Sequence, residues 1–388
     1  MAGRGWLLLD EENQAYIESL DVSESDVKGA GGAFRVRKRR LSGGRRDGVD
    51  VVELDNGAMS CVVLPTRGMG LHRIRAGDLE LGWQSPVRGP VHPRHVRLFE
   101  PSGLGWLDGF DELLCRCGLE SNGAPVFDDS GRLTYPLHGR IANTPAHRLE
   151  LRVDGDAGTI ELTGEVDEAR LFHNKLRLTS TMRLKLGERR VAIEDRVTNL
   201  SAEAGELQLV YHTNFGRPLL EEGARVVLPA QTVVPCTAWA AECIEGWDVY
   251  GPPQPGIAEQ VYFAELAKGA DGWTETLLRN RAGSRGVSLR FDARCLPTFT
   301  LWKNTQDACD GYVTGLEPGV NLPNARPFEE AQGRVVKLDP GESRSFSLEI
   351  VAHGSESEVS DAEGRIAALR GDAEVIVHRS PQPTWSPG

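Results

Sequence analysis

Leu176-Arg177-Leu178-Thr179-Ser180-Thr181-Met182-Arg183-Leu184-Lys185-Leu186 is the stretch that decides the fold class. Leu176, Leu178, Met182, Leu184 and Leu186 alternate with Arg177, Thr179, Thr181, Arg183 and Lys185. Successive side chains of a strand point to opposite faces, so this period of two predicts a long strand with one face buried and one solvated. Gly187-Glu188 turns the chain. Val191, Ile193 and Val197 then alternate with Arg190, Glu194 and Arg196, which predicts an antiparallel hairpin of long strands.

Outward from this hairpin the pattern continues. Val51–Leu54 and Ala58–Leu64 flank Asn56-Gly57, a strong hairpin signal. Further strands are expected over 71–74, 79–81, 158–165, 206–213, 224–228, 286–292, 297–302, 312–316 and 345–352. The 44 glycines and 22 prolines supply many turns. Short strands separated by turns predict an all-β fold. Residues 8–19 admit one amphipathic helix or an extended arm. The basic, Gly-rich segment 28–48 is expected as a solvated hairpin or loop. Residues 84–137 lack periodicity, and a long ordered loop over a sheet commonly carries a site. A helix is expected over 355–370, followed by a frayed tail. The organisation expected is an N-terminal extension over 1–48, one large β domain over 49–354, and a C-terminal helix and tail over 355–388.

Composition excludes some functions. Asp and Glu number 56 against 44 Lys and Arg, a net charge of −12, so neither nucleic acid nor an anionic membrane is an expected partner. The N-terminal apolar patch is too short for a secretory signal, and no run approaches a membrane span. The seven cysteines are read as reduced thiols, and a cytoplasmic location is expected. Phosphate-loop, Gly-x-Ser-x-Gly and His-Glu-x-x-His motifs are absent from the sequence.

Three segments place polar groups at strand ends: Leu137-His138-Gly139-Arg140, Val210-Tyr211-His212-Thr213-Asn214-Phe215-Gly216 and Gly315-Leu316-Glu317-Pro318-Gly319. A lone His in a strand, or a lone Glu before a Pro, is more often structural than chemical. Together, a carboxylate and an imidazole suit a reaction that takes a proton from a hydroxyl and gives one to an ether oxygen.

In this order, and with Leu64-Pro65-Thr66-Arg67-Gly68-Met69, Cys117-Gly118-Leu119-Glu120-Ser121-Asn122-Gly123 and Trp302-Lys303-Asn304, these segments resemble the aldose 1-epimerase (galactose mutarotase)-like superfamily, over about residues 50–352. The resemblance implies a galactose mutarotase-like β-supersandwich with a few short helices. It implies His212 as general acid, Glu317 as general base, and His138 holding the substrate or assisting at the ring oxygen. It further implies sugar contacts from among Arg67, Arg116, Asn122, Arg140, Asn214, Asp248, Trp302 and Asn304. His138-Gly139-Arg140 stands where the family commonly has His-Gly-Gly, and Arg140 could grip a carboxylate or phosphate. The expected function is interconversion of sugar anomers, with a small carbohydrate as partner, no cofactor, and a monomer or homodimer. Two alternatives stay open. One is an isomerase, epimerase or lyase acting on an oxidised keto-sugar, with His138, His212 and Glu317 as ligands if a metal takes part. The other is a non-catalytic carbohydrate-binding protein.

Overall fold

The computed structural model describes residues 3–27, 29 and 31–387. Lys28 and Ala30 of the basic segment lie outside the described residues, as do Met1, Ala2 and Gly388. The structure is 43% strand and 13% helix. Two large, mainly antiparallel sheets pack face to face, one of 10 strands and one of 14, beside a small two-stranded hairpin.

The spine of the first sheet is the predicted hairpin, Lys175–Lys185 with Arg190–Asn199, flanked by Thr159–Ala169 and Ser343–His353. Register carries the alternation across the sheet. Leu162 lies opposite Met182, Met182 opposite Ile193, and Ile193 opposite Leu348, all buried toward the second sheet. On the outer face Arg183 bonds Glu161 at 2.6 Å and Glu194 at 2.9 Å. Each such exposed pair contributes at most about 1 kcal/mol, so the apolar row rather than the ion pairs holds the sheets together.

The N-terminal segment is extended, not helical. Gly3–Asp10 pairs with Arg148–Asp154 at the edge of the first sheet. The basic segment contains the expected hairpin, Arg35–Arg40 with Asp50–Asp55, though it is not wholly solvated. Arg35–Arg40 is a strand between Leu20–Ser23 and Asp50–Asp55, and its charge is neutralised locally. Lys38 is buried 3.2 Å from Asp50, and Arg35 bonds Asp21.

The second sheet positions the site through five adjacent strands: Leu114–Leu119, Gly205–Gly216, Val313–Gly319, Thr298–Asn304 and Gln260–Leu266. In Gly205–Gly216 the side chains of Tyr211 and Phe215 enter the core between the sheets. His212 and Asn214 therefore face outward, under the long loop of residues 84–113. The C-terminal helix Glu356–Arg370 forms as expected, N-capped by Ser355. The tail beyond it is not frayed. Ile376–Val377 pairs with Ala230–Pro235, and the Ser386 hydroxyl donates to the Cys236 carbonyl at 2.6 Å. No helix among the described residues is long and apolar enough to cross a membrane.

Candidate active site

Cross-strand register builds a row of chemistry-bearing residues. His212 lies opposite Cys115, and the pairing of Thr213 with Leu316 sets His212 beside Glu317. Glu317 lies opposite Thr300, and Thr300 opposite Phe263. The row floors a cavity of about 490 Å³, within the range of small-molecule sites. Trp106 and Phe110 of the overlying loop roof it, and His138 and Trp302 stand at its sides. A larger depression of about 910 Å³ lies along the edge strand Gly3–Asp10, but no His or Cys lines it.

His212 Nε2 and Glu317 Oε1 are 3.3 Å apart, and both residues are buried. Their alignment does not make a hydrogen bond, and Glu317 Oε1 has no bonding partner. Asn214 fixes the imidazole. Its Nδ2 donates to the carbonyls of Glu112 and His212, so its Oδ1 is left to accept from His212 Nδ1 at 2.7 Å. In the neutral ring this leaves Nε2 as a bare lone pair aimed at Glu317. Burial, and then the neighbouring His138, push the His212 pKa down to about 3. Burial, and then the charge of Cys117, push the Glu317 carboxyl well above the usual carboxylate range. Burial thus shifts both partners toward their uncharged forms.

Gly315 makes room for this carboxyl. A Cβ at that position would lie 2.3 Å from Glu317 Oε1. His138 is held in a left-handed turn with φ 56°, its Nδ1 donating to the Asn122 carbonyl at 2.9 Å. Gly139 follows with φ 73°, where a Cβ would meet the Ser121 and Gly118 carbonyls at 2.1 and 2.3 Å. The His138 ring stands edge-on to Trp106 and 5.3 Å from the His212 ring. Burial by itself would lower its pKa, but the adjacent Cys117 thiolate carries it up to about 9. Cys117 in turn is drawn down to about 6 against the effect of burial, through Cys115 and His138.

The structure brings His138, His212, Glu317 and Trp302 to the cavity and sets the other sequence candidates elsewhere. Arg116 is flanked by Cys115 and Cys117, so strand alternation turns it into the inter-sheet core, where it binds Asp195 and Ser180. Arg67 is buried on Glu112 and the Gly109 and Val91 carbonyls, anchoring the roof loop from behind. Arg140 pairs with Glu120 and Glu168 outside the cavity, so it is not placed to grip a substrate anion there. Asp248 pairs with Arg225, and Asn304 caps a turn at the Gly311 carbonyl. Asn214 bonds His212 through its side chain, whereas Asn122 meets His138 through its backbone carbonyl and turns its side chain to Asn321. Among the described residues no group of three or more His, Cys, Asp or Glu side chains is arranged to hold a metal ion.

Several lining residues escaped the sequence reading. Thr300 could have been found by counting back two from Trp302 on the same strand face. Glu259, which accepts from Trp302 Nε1 at 2.6 Å, and Asn324 come from loops without a periodic signal. Trp106 likewise lies in a patternless loop. Its buried indole N–H has no partner and lines the cavity.

Residues 46–352 match the family described as domain of unknown function (DUF4432). The fold is similar to that of a provisionally named aldose 1-epimerase from Klebsiella pneumoniae subsp. pneumoniae MGH 78578, with 34% identity and a TM-score of 0.95 over 98% of this chain and 99% of that one. It is also similar to galactose 1-epimerase from Lactobacillus acidophilus NCFM, at 13% identity and a TM-score of 0.54 over 83% of this chain and 99% of that one. A galactose mutarotase-like protein from Clostridium acetobutylicum aligns at 14% identity and a TM-score of 0.54 over 79% and 96%. At such identities the last two show a shared fold alone. A search of the curated proteins found no match.

Proposed function

The chain belongs to the DUF4432 family and has a galactose mutarotase-like fold, and from that premise we propose that it binds a sugar and interconverts its anomers by acid–base catalysis at Glu317 and His212. The observation that carries this reading is the 3.3 Å approach of His212 Nε2 to Glu317 Oε1 at the floor of the cavity, with Oε1 otherwise unpartnered. His212 Nε2 takes the proton of the anomeric hydroxyl. Glu317 gives its proton to the ring oxygen, and the bond from that oxygen to the anomeric carbon breaks. An aldehyde is left, free to rotate about its bond to the next carbon. Both transfers then run backward on the other face of the carbonyl, which restores Glu317 and His212. This polarity is opposite to the one the resemblance implies, because burial favours the uncharged form of each partner. His138, held charged by Cys117, is suited to hydrogen-bond a substrate oxygen. Trp302 offers an aromatic face to sugar C–H groups.

The test is one-dimensional NMR exchange spectroscopy on aldoses and keto-sugars with the wild-type protein and Glu317→Gln. Enhanced exchange between α and β anomers, lost in the variant, is expected. New resonances from a keto-sugar without anomeric exchange would replace the reading with an isomerase or lyase. Sugar binding with neither activity would make the protein a non-catalytic binder.

A further inference from the structure

The cavity mouth carries exposed leucines beside the exposed Glu259 and Thr237, above a floor that holds His212 and Glu317. At the floor, His212 and Glu317 are 5% and 3% exposed. At the mouth, Leu104 and Leu107 are each 45% exposed, large apolar side chains lining the same cavity as Trp302. Apolar surface gathered at a cavity mouth marks where an apolar part of a ligand rests.

Charge points the same way. Among the described residues lining the cavity there is no lysine or arginine, and its two ionisable acids are Glu317 and Glu259. The arginines around it are committed to carboxylates: Arg67 to Glu112, Arg116 to Asp195, Arg140 to Glu120 and Arg326 to Glu206. Besides the His138 ring and the Thr237 and Thr300 hydroxyls, the side-chain N–H donors of the lining are largely committed. Trp302 Nε1 is spent on Glu259, and Asn324 Nδ2 on Glu329 and the Trp385 carbonyl. Trp106 Nε1 is unpartnered.

Resting on the reading of this cavity as a sugar site, we infer that the substrate is an uncharged sugar whose end remote from the reacting carbon is apolar, a deoxy or O-substituted sugar, seated on Leu104, Leu107 and Trp302. A phosphate or carboxylate at the mouth would lie beside the acidic Glu259, and the one cation of the lining, His138, is already balanced by Cys117. A hydroxyl in the same place would gain no bond from the leucine side chains, whereas an apolar group would cover them.

The test uses matched glucose and galactose series: the parent hexose, its 6-deoxy form, its uronate and its 6-phosphate. Binding is followed by tryptophan fluorescence and turnover by anomeric NMR exchange. A 6-deoxyhexose is expected to bind about 10-fold more tightly than its parent, and the anions about 100-fold more weakly. Leu107→Lys should narrow the gap for the 6-phosphate. If no sugar shows exchange, the assigned reaction fails, but the order of binding still decides the substrate class. Tighter binding of an anion, or failure of both 6-deoxyhexoses to bind, overturns the inference.

Discussion

Burial shifts Glu317 and His212 toward their uncharged forms, and this has a cost in stability that depends on pH. Glu317 has a folded pKa above its unfolded one, so above the usual carboxylate range the unfolded chain releases a proton that folding must take back. Its contribution therefore falls as pH rises. His212 is pushed down to about 3 against about 6.5 when unfolded, so its contribution is lost as pH falls through that window. Glu317→Gln should accordingly raise the urea midpoint more at pH 8 than at pH 5. An equal gain at both values, or a loss at pH 8, would mean that the carboxyl is ionised in the native state. Gly315→Ala tests the geometry without removing an acid or base. The added methyl displaces the flexible end of Glu317, so the protein should fold normally while anomeric exchange falls about 100-fold, the usual cost of a misplaced catalytic group. Exchange at the wild-type rate would show that the carboxyl needs no such fixed position.

At the scale of elements, the C-terminal tail belongs to the wall of the site. Residues 381–386 offer the Trp385 carbonyl to Asn324 and the Thr384 carbonyl to Arg334, while Ser386 bonds the Cys236 carbonyl. Asn324 and Cys236 both line the cavity. Truncation after Arg379 should leave the two sheets intact by circular dichroism. It should raise the KM for sugar about tenfold, the scale of one orphaned hydrogen-bonding group. An unchanged KM would show that the rim keeps its shape without the tail. The roof loop is the other contributing element. Arg67 ties it down through Gly109, and Gly109 stands so close that a Cβ there would lie 2.8 Å from the guanidinium.

For the whole molecule, Arg116 links the two sheets. It bonds Asp195 and Ser180 of the first sheet from a strand of the second, and Tyr211 completes the network on Asp195 at 2.8 Å. Breaking such a buried pair on one side costs about 3–5 kcal/mol, because the remaining charge is stranded. Arg116→Leu should lower stability toward urea by that amount, with the KM of any folded protein unchanged. A normal urea midpoint with a raised KM would return Arg116 to the substrate.

The sequence by itself determined the all-β architecture, because period-two patterning is local and survives in strands as long as Lys175–Lys185. It also marked His138, His212 and Glu317 as residues worth bringing together. It left the extended arm at 8–19 undecided, because a short apolar patch fits either period. It missed the burial of Lys38, whose partner Asp50 lies on the neighbouring strand. Tertiary structure alone decided which arginines and asparagines face the cavity. Register and alternation send Arg116 inward while its neighbours Cys115 and Cys117 face the site, and no local pattern distinguishes an arginine bound to a substrate from one bound to a buried aspartate. The shift of Glu317 and His212 toward their uncharged forms was likewise decided by the fold. It depends on burial and on the approach of His138 and Cys117, which come from other segments of the chain and meet His212 and Glu317 only in the assembled fold.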